Sequence, residues 1–181
     1  MNVHIVKPYS LIKDLGQAYN EEMRRIPDGH WACLMDYDTM FLTPDCGKIL
    51  YIYADSFPDT GLFTCYTNRI HPKATDQLID GVIDENLDLG HHVNKAYNQK
   101  AELFKVTELD HEVSGFCMMI SKATWNEQKF GEFGRCLGVD NEYCWALFEK
   151  GKKIRRMDGL YVLHMYRLRN GIHSKEHLKN V

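Results

Sequence analysis

Hydrophobic positions recur at two spacings along the chain, and the order in which those spacings alternate predicts an α/β fold. Val3–Val6 is a short apolar run ended by Pro8, the pattern of a strand. Leu11, Leu15, Ala18, Met23 and Ile26 then fall near the helical period, with Ser10 as the expected N-cap and Pro27-Asp28-Gly29 as the stop. Residues 30–35, His-Trp-Ala-Cys-Leu-Met, form a second continuous apolar run. Strand, helix, strand implies two parallel strands whose C-terminal ends share one edge, where open α/β sheets take their ligands.

Residues 49–54 are too short to separate strand from helix, whereas 61–66 read as a strand. A polar, helix-forming insertion is expected around 72–103, broken near Gly81 and Gly90. Residues 104–108 and 117–120 are strand candidates, 143–150 a helix closed by Gly151, and 154–157 with 160–163 finish the sheet. The expected fold class is α/β, with one domain over 1–181 built on a mixed, mostly parallel sheet flanked by helices.

Composition narrows the function classes. The 181 residues are 44% hydrophobic, enough for a core, and 22 basic against 25 acidic residues leave a net charge of −3. That balance offers no electrostatic footprint for a nucleic-acid duplex. No segment approaches the roughly 18 apolar residues of a membrane-spanning helix, and the start turns polar too soon for a signal peptide. A cytoplasmic location is expected. The six cysteines form no C-x-x-C pair and lie mostly in apolar runs, the pattern of buried reduced thiols.

The candidate chemistry begins at Asp36-Tyr37-Asp38, directly after the second strand. In an extended segment residues i and i+2 face the same way, so both carboxylates would reach one ligand. Hard oxygen donors suit Mn²⁺ or Mg²⁺, which complete their coordination with water and phosphate oxygens, and a nucleoside diphosphate is the matching partner. Acidic pairs also occur in ordinary turns. Thr67-Asn68-Arg69 follows the 61–66 strand at a C-terminal edge, which makes Asn68 and Arg69 candidate substrate contacts.

Four blocks in order carry a resemblance. Residues 13–20, Lys-Asp-Leu-Gly-Gln-Ala-Tyr-Asn, followed by the Asp36-Tyr37-Asp38 strand end, resemble the K-N-x-G-x-A-x-N helix and D-x-D strand of family-2-type glycosyltransferases with the GT-A fold. Residues 115–120, Gly-Phe-Cys-Met-Met-Ile, look like that family's acceptor-side G-x-x-M-x-I strand. Residues 138–144, running on to Tyr161-Val162-Leu163-His164, look like its G-E-D-x-D helix and the strand ending in a metal-binding His. Val139 stands where the family has Glu, and one helix replaces the family's additional N-terminal strands, so the domain is expected to be a GT-A fold shortened at the N-terminus.

The resemblance implies roles. Asp36, Asp38 and His164 would hold Mn²⁺ or Mg²⁺, and Asp140 would be the general base of an inverting transfer. Pro8, Tyr9, Ser10, Lys13, Asn20 and Tyr37 would contact the nucleoside, with Tyr9 stacking on the base and Lys13 and Asn20 sharing a helix face. Gly115 and Glu142 would lie on the acceptor side, and Arg167 would clamp a phosphate. The expected activity moves a hexose from a nucleotide diphosphate sugar, UDP favoured over GDP, to an unknown acceptor. Two other uses of these residues stay open: a nucleotidyltransferase or phosphohydrolase built on Asp36 and Asp38, or a non-catalytic module that binds a nucleotide sugar. Exposed aromatics at Tyr51 and Tyr53 suggest a homodimer.

Overall fold

The computed structural model describes residues 1–71 and 74–165. β1 (Val3–Val6) and β2 (Trp31–Met35) pair in parallel, joined by α1 (Leu15–Arg25), as the opening periodicity predicts. The sheet has seven strands in the order β1-β2-β6-β4-β7-β3, with β5 also paired to β7. Here β3 is Thr39–Phe41, β4 Thr60–Thr67, β5 Val106–Leu109, β6 Cys117–Ser121 and β7 Lys153–His164.

The sheet is mixed, but it is not mostly parallel. β1 with β2 and β4 with β7 are its parallel pairs; β6 enters between β2 and β4 and runs against both, and β3 and β5 run against β7. β3 follows β2 after only three residues, yet it pairs with β7 at the other end of the strand order. The runs 154–157 and 160–163 are one strand, β7, whose register against β4 shifts between Met157 and Tyr161. Residues 49–54 belong to a helix, α2 (Cys46–Ser56).

β2 is buried along its whole length because both of its faces are covered. Ala32 and Leu34 pack with Met118, Ile120, Leu62 and Ile154 against Tyr19 and Met23 of α1, Trp125 of α4 (Lys122–Glu127), and Tyr143, Cys144 and Leu147 of α5 (Val139–Glu149). Trp31, Cys33 and Met35 pack on the opposite side with Phe63, Cys65 and Met119 against Ile49, Leu50, Tyr53 and Ala54 of α2. Cys33, Cys65, Cys117 and Cys144 are buried free thiols, whereas Cys136 is exposed.

The helix-forming insertion around 72–103 is only partly α-helical. Its described part holds three 3₁₀ turns, Thr75–Gln77, Ile79–Gly81 and Lys100–Glu102, and one α-helix, α3 (Leu89–Gln99). α3 is anchored to β7 rather than raised over the molecule: His92 Nδ1 pairs with the Tyr161 hydroxyl at 2.7 Å, and the rings stack. Tyr53 is fully buried, its hydroxyl accepting the Gly159 N–H at 2.7 Å, so it offers nothing to a second copy; Tyr51 remains exposed.

α1 begins later than its apolar spacing suggests. Asp14 is the N-cap, accepting the Gln17 N–H at 3.0 Å, while Ser10 accepts the Asp14 N–H at 2.8 Å and closes the preceding turn. Lys13 has φ +59 and stands outside the helix, so it shares no helical face with Asn20. Asn20 is 2% exposed and fully engaged: its carbonyl accepts from Trp125 Nε1 (2.9 Å) and Phe130 N (3.1 Å), and its amide donates to Phe130 O and Glu132 (both 2.9 Å). Asn20 ties α1 to α4 and to the loop before α5. Asn20→Ala strands two buried N–H donors at about 1–3 kcal/mol each, so chemical denaturation should show a loss of roughly 2–4 kcal/mol. A loss well under 1 kcal/mol would mean the bonds are dispensable and would free Asn20 for a ligand.

Candidate functional site

The C-terminal ends of β2 and β7 meet in space, which brings Asp36, Asp38 and His164 together. One ligand atom from each lies within 4.8 Å of the other two. The convergence does not come from strand alternation. Asp36-Tyr37-Asp38 forms a turn between β2 and β3, closed by the Thr39 N–H and hydroxyl, both donating to Asp36 O at 3.2 and 2.6 Å. Strand pairing then delivers the histidine: Thr39 sits opposite His164, and Met165 N donates to Asp38 O at 2.8 Å. His164 Nε2 lies 3.4 Å from Asp38 Oδ1.

Among the described residues, Asn68 and Phe116 help set the pose of His164. Asn68 at the end of β4 accepts the His164 N–H at 2.7 Å, and the Phe116 ring stacks on the imidazole with centroids 5.3 Å apart. Asn68 is buried and is not among the residues that line the cleft. Its order in the sequence could suggest a strand-edge ligand contact; that it serves a backbone N–H ninety-six residues later could not be read there. Phe116 was inside a recognisable block but gave no sign of facing the histidine.

A cleft of about 700 Å³ opens beside this cluster. Asp36, His164, Gly115 and Asp140 line it together with Leu15, Tyr19 and Leu137 at one part of its wall and Asp76, His111, Glu112 and Ser114 at another. Asp140 is in the first turn of α5, whose start is set by Gly138 at φ +77. The Gly115 N–H donates to Asp140 Oδ2 at 2.7 Å. A Cβ on Gly115 would lie 3.0 Å from that of Asp140, so only glycine allows this approach without a shift. His111 and Asp76 pair across 3.1 Å. The cleft lining carries Asp36, Asp76, Glu112 and Asp140 and no lysine or arginine among the described residues.

Electrostatics follow from this crowding. Burial pushes the Asp36 carboxyl up to about 6, and the negative charges of Asp38 and Asp140 add to it against the pull of His164. Burial also acts on Asp38, but the hydrogen bond and charge of His164, helped by Lys7, outweigh it and hold Asp38 below its ordinary value. Burial raises the Asp140 carboxyl above its ordinary value despite the N–H groups of Gly115 and Asn141. Two carboxylates and an imidazole within mutual reach, one of them destabilised as an anion, could hold a metal ion.

Comparison with protein-family models and with curated proteins gives no match. The site therefore stands on its own geometry.

The remaining sequence candidates divide. Pro8 is buried and Ser10 is spent on the Asp14 turn. Tyr9 and Tyr37 are both exposed and meet edge to face, ring centroids 5.8 Å apart, at the end of β1 and β2 next to Asp36 and Asp38. Lys7 holds that corner by donating to Thr39 O at 2.8 Å and Tyr37 O at 3.2 Å. Arg69 is buried and Glu142 is engaged by Arg135, and neither lines the cleft. Arg167 lies outside the described residues. Tyr19, Leu137, His111 and Glu112 are cleft residues that the sequence reading did not single out; the charged run 110–112 between two strands was the available signal.

The raised Asp36 value has a consequence for stability without metal. A carboxyl protonated more readily folded than unfolded makes the folded state bind the extra proton between about 4 and 6, so stability falls as pH rises through that window. Asp36→Asn removes the term. In metal-free buffer at pH 7.5 the variant should melt above wild type, by roughly 1–3 kcal/mol, with the gap closing as pH falls toward 4. Equal stability at both pH values would show that the Asp36 anion is not strained.

Proposed function

We propose that the chain is a metal-dependent inverting glycosyltransferase of the GT-A kind, moving a hexose from a nucleotide diphosphate sugar to an acceptor hydroxyl. The observation that carries this reading is the meeting, in one cleft, of the Asp36, Asp38 and His164 cluster with a separate buried carboxylate, Asp140. A diphosphate is strongly anionic, and the described lining of the cleft, with four carboxylates and no lysine or arginine among the described residues, offers it no counter-charge. The Asp36, Asp38 and His164 cluster, which could hold a metal ion, supports cation dependence. The chemistry a bound divalent ion supplies is neutralisation of charge on the departing diphosphate.

The chain's own residues account for the rest. Asp140, raised by burial, takes the proton of the acceptor hydroxyl as its oxygen attacks the anomeric carbon. The bond from that carbon to the diphosphate breaks, and the nucleoside diphosphate leaves intact. The Gly115 N–H keeps the Asp140 carboxylate aimed into the cleft. Tyr9 and Tyr37 offer an aromatic corner for a base, with UDP the favoured donor, and His111, Glu112 and Ser114 offer hydrogen-bond partners to a hydroxylated acceptor.

Product analysis tests the reading. Incubation with UDP-hexose, Mn²⁺ and a panel of hydroxylated acceptors should release UDP and not inorganic phosphate or a free nucleoside monophosphate. Asp140→Asn should lower turnover by about 10²–10⁴ while leaving donor affinity in place. Release of phosphate, or a variant as active as wild type, would assign the cluster to phosphohydrolase or nucleotidyl transfer instead.

A further inference from the structure

A three-residue segment, Ser114-Gly115-Phe116, lies between Asp140 and the metal cluster and touches both. Gly115 N donates to Asp140 Oδ2 at 2.7 Å, while Phe116 O accepts the Asp36 N–H at 3.0 Å and the Phe116 ring stacks on His164. The Phe116 end is fixed by the sheet, because its bond to Asp36 continues the pairing of β6 with β2, in which Cys117 stands opposite Met35. Ser114 and Gly115 precede β6 and lie outside that ladder.

Gln77 anchors this second end. Its side chain is 1% exposed; the carboxamide oxygen accepts the Ser114 N–H at 2.8 Å and the carboxamide nitrogen donates to Ser114 O at 3.2 Å. An amide that accepts from and donates to the backbone of one residue holds it as a strand partner would. The same nitrogen donates to Thr64 Oγ1 of β4 at 2.6 Å, so the clamp is itself tied to the sheet. Asp76 adds the ion pair to His111, and the turn Thr75–Gln77 thereby grips the loop before β6 at two points.

The grip matters at Gly115. Its N–H opposes the effect of burial on Asp140, and the close approach that only glycine allows leaves the two backbones no slack. A shift of Ser114 is passed to the next N–H and from there to the carboxylate.

We propose that Gln77 is a positioning residue: by clamping the Ser114 backbone it fixes the Gly115 N–H and so sets the direction of the Asp140 carboxylate relative to Asp36 and His164. The role of that carboxylate as a base rests on the glycosyltransferase reading; the clamp does not.

Amide NMR tests the clamp without donor or acceptor. In wild type the Ser114 and Gly115 N–H groups should exchange slowly, and the Gly115 proton, bonded to a carboxylate, should lie downfield and move upfield in Asp140→Asn. Gln77→Met keeps a side chain of similar size and removes both bonds to Ser114, so the Gly115 proton should move upfield and both amides should exchange roughly tenfold faster or more. Thr64→Val removes the third bond of the same amide and leaves the Ser114 bonds. It matches the loss of a buried bond, and its Gly115 proton should stay at the wild-type position. With UDP-hexose and a hydroxylated acceptor, Gln77→Met should lower kcat by roughly 10- to 100-fold and leave donor KM within about twofold, whereas Thr64→Val should keep both. The proposal is overturned if the Gly115 proton of Gln77→Met stays in place, if Thr64→Val displaces it equally, or if Gln77→Met keeps the wild-type kcat. The wild-type spectrum decides even where a variant does not fold, since a freely exchanging Gly115 amide also overturns the clamp. A wild type with the protected, downfield amide that transfers no sugar removes the glycosyltransferase reading and supports the clamp.

Discussion

The burial of carboxylates around one histidine is the constraint that organises this molecule. Asp36 and Asp38 come from the turn between β2 and β3 and Asp140 from the first turn of α5, and each gives up hydration on folding. Such crowding persists only if the surrounding frame is rigid. The frame is the pairing of β3 with β7, the Asn68 bond to the His164 backbone, and the Gly115 bond to Asp140. Each joins residues far apart in the chain, so the site exists only when the whole sheet has formed.

The same frame explains the division of labour among polar side chains. Asn68 and Asn20 read as ligand contacts by position, yet both are buried and serve backbone or ring N–H groups. A buried amide without partners costs more than it returns, so an interior asparagine is bonded within the fold. The groups left facing the cleft are those whose charge or shape a ligand can use: the cluster at Asp36, Asp38 and His164, the acid at Asp140, and the His111 and Asp76 pair.

The strand, helix, strand opening, the core runs and the position of the acidic pair were legible in the sequence because each depends on local periodicity. The meeting of Asp36, Asp38 and His164 was legible through motif order, although the turn that brings Asp36 and Asp38 together was not. What escaped depends on contacts distant in sequence. The antiparallel entry of β6 is a topological choice that no local pattern encodes, and the α1 start moved from Ser10 to Asp14 because Asp14 also binds Gly134 on a remote loop. Tyr53 read as exposed because its partner, the Gly159 N–H, lies across the sheet.

The central claim is that the Asp36, Asp38 and His164 cluster binds a nucleoside diphosphate through a divalent cation. Isothermal titration of UDP, GDP and CDP into wild type and Asp38→Ala, each with and without Mn²⁺, tests it most directly. The account predicts binding of one nucleotide in the presence of Mn²⁺, none in its absence, and none by Asp38→Ala under either condition. Binding that is equally tight without the metal, or unchanged in Asp38→Ala, would contradict it.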